Sequence, residues 1–148
     1  MKNHIVSFSG GRTSAYMVWL FEQKRMREDI NVEFVYCDTG AEHENTYSFI
    51  RDVVKHYGIK LTCLRCVVNP EKGIGTTYKV VPLEECQPDL KPFQDMILKY
   101  GNPSFVAPLC TREMKSTPSD KYCNEKYGHG NYVKWLGIRV DEPNRIKV

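Results

Sequence analysis

The sequence is short of several features that would assign it to a familiar class. No run approaches the roughly 20 apolar residues that span a bilayer, and the apolar stretch after Met1, residues 5–8, is too brief for a secretory leader. A cytoplasmic location and no membrane partner are therefore expected. There is no G-x-x-x-x-G-K-[ST], which disfavours a P-loop kinase, and no G-x-G-x-x-G opening the first helix, which disfavours a plain dinucleotide enzyme. Four histidines form no H-E-x-x-H or other ligating pair. Without a leader, the six cysteines read as reduced thiols or metal ligands rather than disulfides.

The 148 residues, 41% hydrophobic and 26% charged, have the size and balance of one globular domain with a sizeable core. The net charge of +3 is unevenly spread. Residues 1–111 carry 13 basic and 13 acidic side chains, and residues 112–148 carry 8 and 5. A local surplus suits an anionic ligand or a nucleic acid backbone, and equally a solvated face.

Residues 4–8 form a short β-prone run that stops at Ser9-Gly10-Gly11. Thr13 and Ser14 suit a helix start, and Tyr16, Met17, Leu20 and Phe21 recur at helical spacing toward Arg27. A second strand, 32–37, ends at Asp38-Thr39-Gly40 before a helix over Glu44–Tyr57. A third strand covers 60–68. Pro70, Gly73, Gly75, Pro82 and Pro88 then mark a long irregular excursion of the kind that carries function or lines a cleft. Helices over 90–100 and 119–127 and a last strand over 132–138 complete the series. Alternating strands and helices imply an α/β fold: a doubly wound parallel sheet, helices on both faces, with its ligand cleft at the carboxyl ends of the strands.

The turn Ser9-Gly10-Gly11-Arg12-Thr13-Ser14 between strand and helix offers backbone N–H groups, hydroxyls and a guanidinium to one point, as a phosphate requires. An ordinary glycine turn with a Ser/Thr cap is the alternative. The turn resembles the SGGx[DT]S signature of the PP-loop ATP pyrophosphatase family. Val35-Tyr36-Cys37-Asp38-Thr39-Gly40-Ala41-Glu42 resembles the second-strand segment of phosphoadenosine phosphosulfate (PAPS) reductases, and Gly137-Ile138-Arg139 with Asp141, Glu142 and Arg145 resembles their GIR-x-x-E-x-x-R segment. Cys110-Thr111-Arg112-Glu113-Met114-Lys115 resembles the C-T-x-x-x-K segment of phage and prophage PAPS reductase-like proteins.

The resemblance implies the PP-loop fold and an adenine nucleotide ligand, ATP or of PAPS type. By it, Ser9, Gly10, Gly11, Arg12, Thr13 and Ser14 cradle the phosphate or sulfate end, and the backbone at Ser7 and Phe8 runs beside the adenine. Asp38 and Thr39 border adenine and ribose, unless Asp38 serves as a turn cap. Gly137, Arg139 and Arg145 reach the anionic end, unless the arginines belong to an exposed ion-pair cluster; Arg112 and Lys115 extend the basic rim or simply face solvent.

The family's reductases also use a cysteine in a C-terminal segment to attack sulfur, and relatives hold an iron-sulfur cluster through cysteines that include a downstream C-x-x-C. The chain, ending at Val148, contains neither. The expectation is a nucleotide-binding portion with Cys110 or Cys123 as its nucleophile candidates, Cys110 foremost. Cys63-Leu64-Arg65-Cys66 has C-x-x-C spacing, but in a strand its sulfurs point to opposite faces, so no metal is expected. Three functions compete: a PAPS reductase-like enzyme served by a thioredoxin-like reductant, an ATP pyrophosphatase in nucleic acid sulfur modification, and a nucleotide-binding module without turnover. A homodimer is compatible with each.

Overall fold

The computed structural model describes residues 2–104, 106 and 108–142. Strand β1 (Asn3–Ser7) lies inside a five-stranded sheet, between the central strand β2 (Asn31–Asp38) and the edge strand β5 (Tyr132–Trp135). Beyond β2 come β3 (Leu61–Val67) and the edge strand β4 (Thr77–Val81). Strands β3, β2, β1 and β5 run parallel, with Val6 beside Phe34 and Trp135, whereas β4 pairs antiparallel to β3. That antiparallel edge corrects the expectation of an unbroken irregular excursion. Its pattern shows why it was hidden: Val81 is its one buried residue, so β4 has no apolar alternation to read.

The pleat sorts side chains to two faces. Val6, Phe8, Phe34, Tyr36 and Cys63 face the layer made by helices α1 (Arg12–Arg27) and α2 (Glu44–Tyr57), meeting Ala15, Val18, Ile50 and Val53. Ile5, Val35 and Leu64 face the other way, toward Tyr122 and Cys123 of helix α5 (Thr117–Tyr127). Cys63 and Cys66 consequently belong to separate clusters, Cys66 packing with Met96 and Met114. The crossovers through α1 and α2 cover one face and step from β1 to β2 and β3, whereas α5 covers the other and leads to β5 on the opposite side of β1, which makes the crevice beside β1 a topological switch point.

Helix ends follow local chemistry. His43 Nδ1 accepts the Asn45 N–H at 3.1 Å to cap α2, and Gly58, at φ 63°, closes it in the left-handed conformation. Helix α3 (Lys91–Tyr100) is followed by α4 (Leu109–Thr111), a π-helical turn (Arg112–Ser116) and α5, which run on as one helix over 109–127. No helix among the described residues is long and apolar enough to cross a membrane.

Candidate nucleotide cleft

A cleft of about 320 Å³ opens at the carboxyl ends of β1, β2 and β5. Ser7, Phe8, Ser9 and Ser14 line one side; Val35, Tyr36 and Cys37 carry the wall along the end of β2. Thr111, Lys115, Ser116 and Ser119 close it from the long helix, and Lys134, Leu136 and Gly137 from β5 and just beyond.

The loop between β1 and α1 is braced from within. Ser14 is 4% exposed; its Oγ accepts the Ser9 N–H at 3.1 Å, donates to the Gly11 carbonyl at 3.0 Å and lies 2.9 Å from Ser9 Oγ. With the Ser14 proton spent on Gly11, Ser9 supplies the proton of that last contact. Gly10 has φ 81°, and a β-carbon there would lie 2.7 Å from Thr46 Cγ2. Packing against α2 thus demands this glycine. Gly11 is different, since a β-carbon would meet nothing nearer than Ser9 Oγ at 3.7 Å. The amides of Arg12, Thr13 and Ser14 open α1, where the backbone has no intrahelical acceptor and the helix dipole is positive.

Ser7, Phe8, Ser9, Ser14 and Gly137 therefore meet in one cleft, and Gly137 packs beside the Ser14 backbone, its would-be β-carbon 3.6 Å from Ser14 Cα. Gly10 and Gly11 form the turn after Ser9, and Arg12 and Thr13 open α1, but none of these four is among the lining residues. Asp38 and Thr39 do not line the cleft. Asp38 is fully buried, with Oδ1 accepting from the Gly40 N–H at 3.0 Å and Tyr47 OH at 2.7 Å, and Oδ2 from Arg65 Nε at 2.8 Å. Thr39 Oγ1 accepts the Ala41 N–H at 3.2 Å. The turn-cap alternative describes Asp38, and Thr39 caps the same turn. Arg139 is exposed and ion-paired with Asp141, its Nε 2.9 Å from Oδ1, and is not among the lining residues. Arg145 lies outside the described residues.

Cys110 packs toward the cluster of Cys66, Met96 and Met114, while its neighbour Thr111 reaches the cleft. The thiol that does line it is Cys37, which donates to the Lys115 carbonyl across 3.6 Å. Burial pushes that thiol up to about 12, the nearby ammonium groups of Lys134 and Lys115 only partly opposing it. Burial also raises the Cys123 thiol.

Sequence reasoning passed over Lys134, Ser116 and Ser119. Lys134 shares the Ile5 side of the sheet, projects into the cleft and pairs with Asp120 at 2.7 Å. A lysine within a short strand three residues before Gly137 was the available signal. Lys115 pairs more loosely with Glu42, at 3.7 Å. Two buried hydroxyls of residues that line the cleft lack a hydrogen-bond partner among the described residues: Ser119 Oγ, and Tyr36 OH, which lies on the α1/α2 face of the sheet rather than in the cleft. Leaving such groups unpaired costs about 1–3 kcal/mol each, and such exceptions gather at functional sites.

The phosphoadenosine phosphosulfate reductase domain model matches residues 3–146. The uncharacterized nin region protein ORF290 of Escherichia phage lambda is 50% identical over 147 residues, covering 97% of this chain and 50% of that protein. An uncharacterized protein of Methanocaldococcus jannaschii is 30% identical over 138 residues, covering 93% of this chain and 23% of its own. An uncharacterized 37.8 kDa protein of Escherichia phage 186 is 27% identical over 166 residues, covering 94% and 48%. The chain thus spans about half the length of these phage relatives and about a quarter of the archaeal one. No solved structure matches it. On its matched domain and its phage relative, the chain belongs to the phosphoadenosine phosphosulfate reductase domain family, in its phage-type branch.

Proposed function

We propose that the chain binds an adenine nucleotide in this cleft, with the anionic end at the Ser9–Ser14 turn and the base against the ends of β1 and β2. The observation that carries this reading is the position of the cleft: about 320 Å³ at the switch point beside β1, bounded by a glycine turn that opens a helix. The amides of Arg12, Thr13 and Ser14 meet phosphate or sulfate oxygens, and Ser9 Oγ joins them by turning its proton from Ser14 to the ligand. Lys134 and Lys115 add positive charge by exchanging their acidic partners for the ligand. Phe8, Val35, Tyr36 and Cys37 give the base a largely apolar wall, and the unpaired hydroxyl of Ser119 gains a partner there.

The thiols of these residues favour nucleotide binding without thiol attack over sulfur transfer by the chain's own cysteines. Attack on sulfur needs a thiolate in line with it, and burial keeps Cys37 protonated at neutral pH. Cys110 faces the methionine cluster. Nor do Cys63 and Cys66, on opposite faces of β3, fit an iron-sulfur cluster. Sulfur chemistry in this reading draws its thiolate from elsewhere, and adenylation of a substrate by ATP remains open to the same cleft.

Titration calorimetry with ATP, AMP, adenylyl sulfate and PAPS tests the proposal and ranks the ligands. Saturable binding of at least one is expected. No heat from any of the four with a folded chain would contradict it.

A further inference from the structure

The stretch from 68 to 90 joins β3 to α3 and contributes no residue to the cleft lining. What it does is visible at Thr76, which is 1% exposed and donates its hydroxyl proton to Glu113 Oε2 at 2.6 Å. Glu113 belongs to the π-helical turn, is 7% exposed, and receives Arg112 Nε on its other oxygen at 2.7 Å. Burial by itself would raise the Glu113 carboxyl; the hydrogen bonds from Thr76 and Arg112 outweigh it and hold the group below its ordinary range, so it is ionised at neutral pH. Lys99, near the end of α3, fastens the same stretch again through the Ile74 carbonyl.

The π-helical turn has a cause in the sequence. Pro118 has no N–H to donate, and its ring collides with a carbonyl four residues back in a regular α-helix. The helix opens before it, with the Thr117 N–H bonding to the Arg112 carbonyl five residues back. In an uninterrupted α-helix, residues five apart lie about 140° from each other around the axis. The widened turn brings Thr111 and Ser116 to one wall together with Lys115 and Ser119. Met114 and Glu113 hold the turn from behind, Met114 in the cluster with Cys66 and Met96.

We infer that Thr76 and Glu113 form a latch that holds this turn in its widened shape, making Glu113 a positioning residue for the cleft wall of Thr111, Lys115 and Ser116. The inference rests on the nucleotide reading of the cleft. A residue that never touches ligand then sets how well the anionic end is bound.

Thr76→Val removes the hydrogen bond at constant shape, and Thr76→Ser keeps it. Amide hydrogen exchange across 112–119, measured without ligand, should be about tenfold faster in Thr76→Val and within about twofold of wild type in Thr76→Ser, as one hydrogen bond to a charged group implies. With ATP and adenosine as calorimetric probes, Thr76→Val should bind ATP about tenfold more weakly and adenosine within about twofold, and Thr76→Ser should restore ATP binding. Glu113→Gln, which keeps an acceptor for Thr76 but loses the charge, should show the same selective loss at smaller size and replaces Thr76→Val if that variant does not fold. Unchanged exchange, acceleration spread evenly over the chain, or equal loss of both ligands would overturn the latch. If the wild type binds neither these probes nor AMP, adenylyl sulfate or PAPS, the nucleotide reading falls, while local acceleration at 112–119 would still uphold the latch and its lack would overturn it.

Discussion

The Cys37 sulfur touches the cleft and donates to the Lys115 carbonyl, so its protonation state bears on both stability and chemistry. Burial moves the thiol from an ordinary 9.0 to about 12. Below about pH 9 the folded and unfolded chains both keep the proton, and the group leaves stability unchanged with pH. Between about pH 9 and 12 the unfolded chain ionises while the folded one does not, so unfolding gains and stability falls as pH rises. Urea denaturation across that window should show a shallower alkaline loss in Cys37→Ala than in the wild type; identical slopes would place Cys37 in a wetter site than this one. At pH 7.5, iodoacetamide should modify Cys37 of the folded chain only slowly. The same burial explains why residue types alone could not rank the six cysteines. Cys110, the foremost candidate, sits beside Thr111 in sequence, yet neighbours on a helix point about 100° apart, and only Thr111 reaches the cleft.

At the scale of elements, most of the sheet was legible because its strands are short apolar runs stopped by glycine or proline, and α2 spans the expected Glu44–Tyr57. The less legible parts depend on contacts distant in sequence. Asp38 is one: nothing local distinguishes a ribose ligand from a buried hub, whereas Arg65, 27 residues away, and Tyr47 decide it. Arg65 also grips Asp89 at 2.7 Å, and Leu90, at φ 59°, donates its N–H to the Gly40 carbonyl at 2.9 Å. The end of the excursion is thereby pinned to the turn after β2. Asp38→Ala leaves Arg65 buried without its inner partner and should cost about 3–5 kcal/mol in urea denaturation; a loss below about 1 kcal/mol would mean the network contributes little. Strand β5 carries the next expectation. Lys134→Ala should weaken ATP about tenfold, as loss of a charge-assisted contact implies, and leave adenosine unchanged. Arg139→Ala, losing an exposed pair with Asp141, should weaken ATP by less than about threefold. Calorimetry that reversed this order would return the anion contact to the arginine named by the motif.

Across the whole molecule, two of the 8 basic residues after position 111, Lys115 and Lys134, face the cleft. Their charges are held by Glu42 and Asp120, which composition could not reveal. The sheet order brings together residues 7–14, 35–42, 111–119 and 134–137 at one end of the parallel strands, and this convergence is the basis for reading the cleft as a nucleotide site. Gly11 tests it with least disturbance. Its φ of −98° suits any residue and its would-be β-carbon is free of clashes, whereas Gly10→Val must strain the loop and push on Thr46 and Ile50 of α2. Gly11→Val should therefore melt within a few degrees of the wild type while placing a branched side chain where phosphate is to sit. The direct measurement is ATP binding by titration calorimetry to the wild type and to folded Gly11→Val, with adenosine in parallel. A nucleotide cleft predicts saturable ATP binding that falls at least about tenfold in the variant, with adenosine much less affected. A folded Gly11→Val that binds ATP as tightly as the wild type would contradict it.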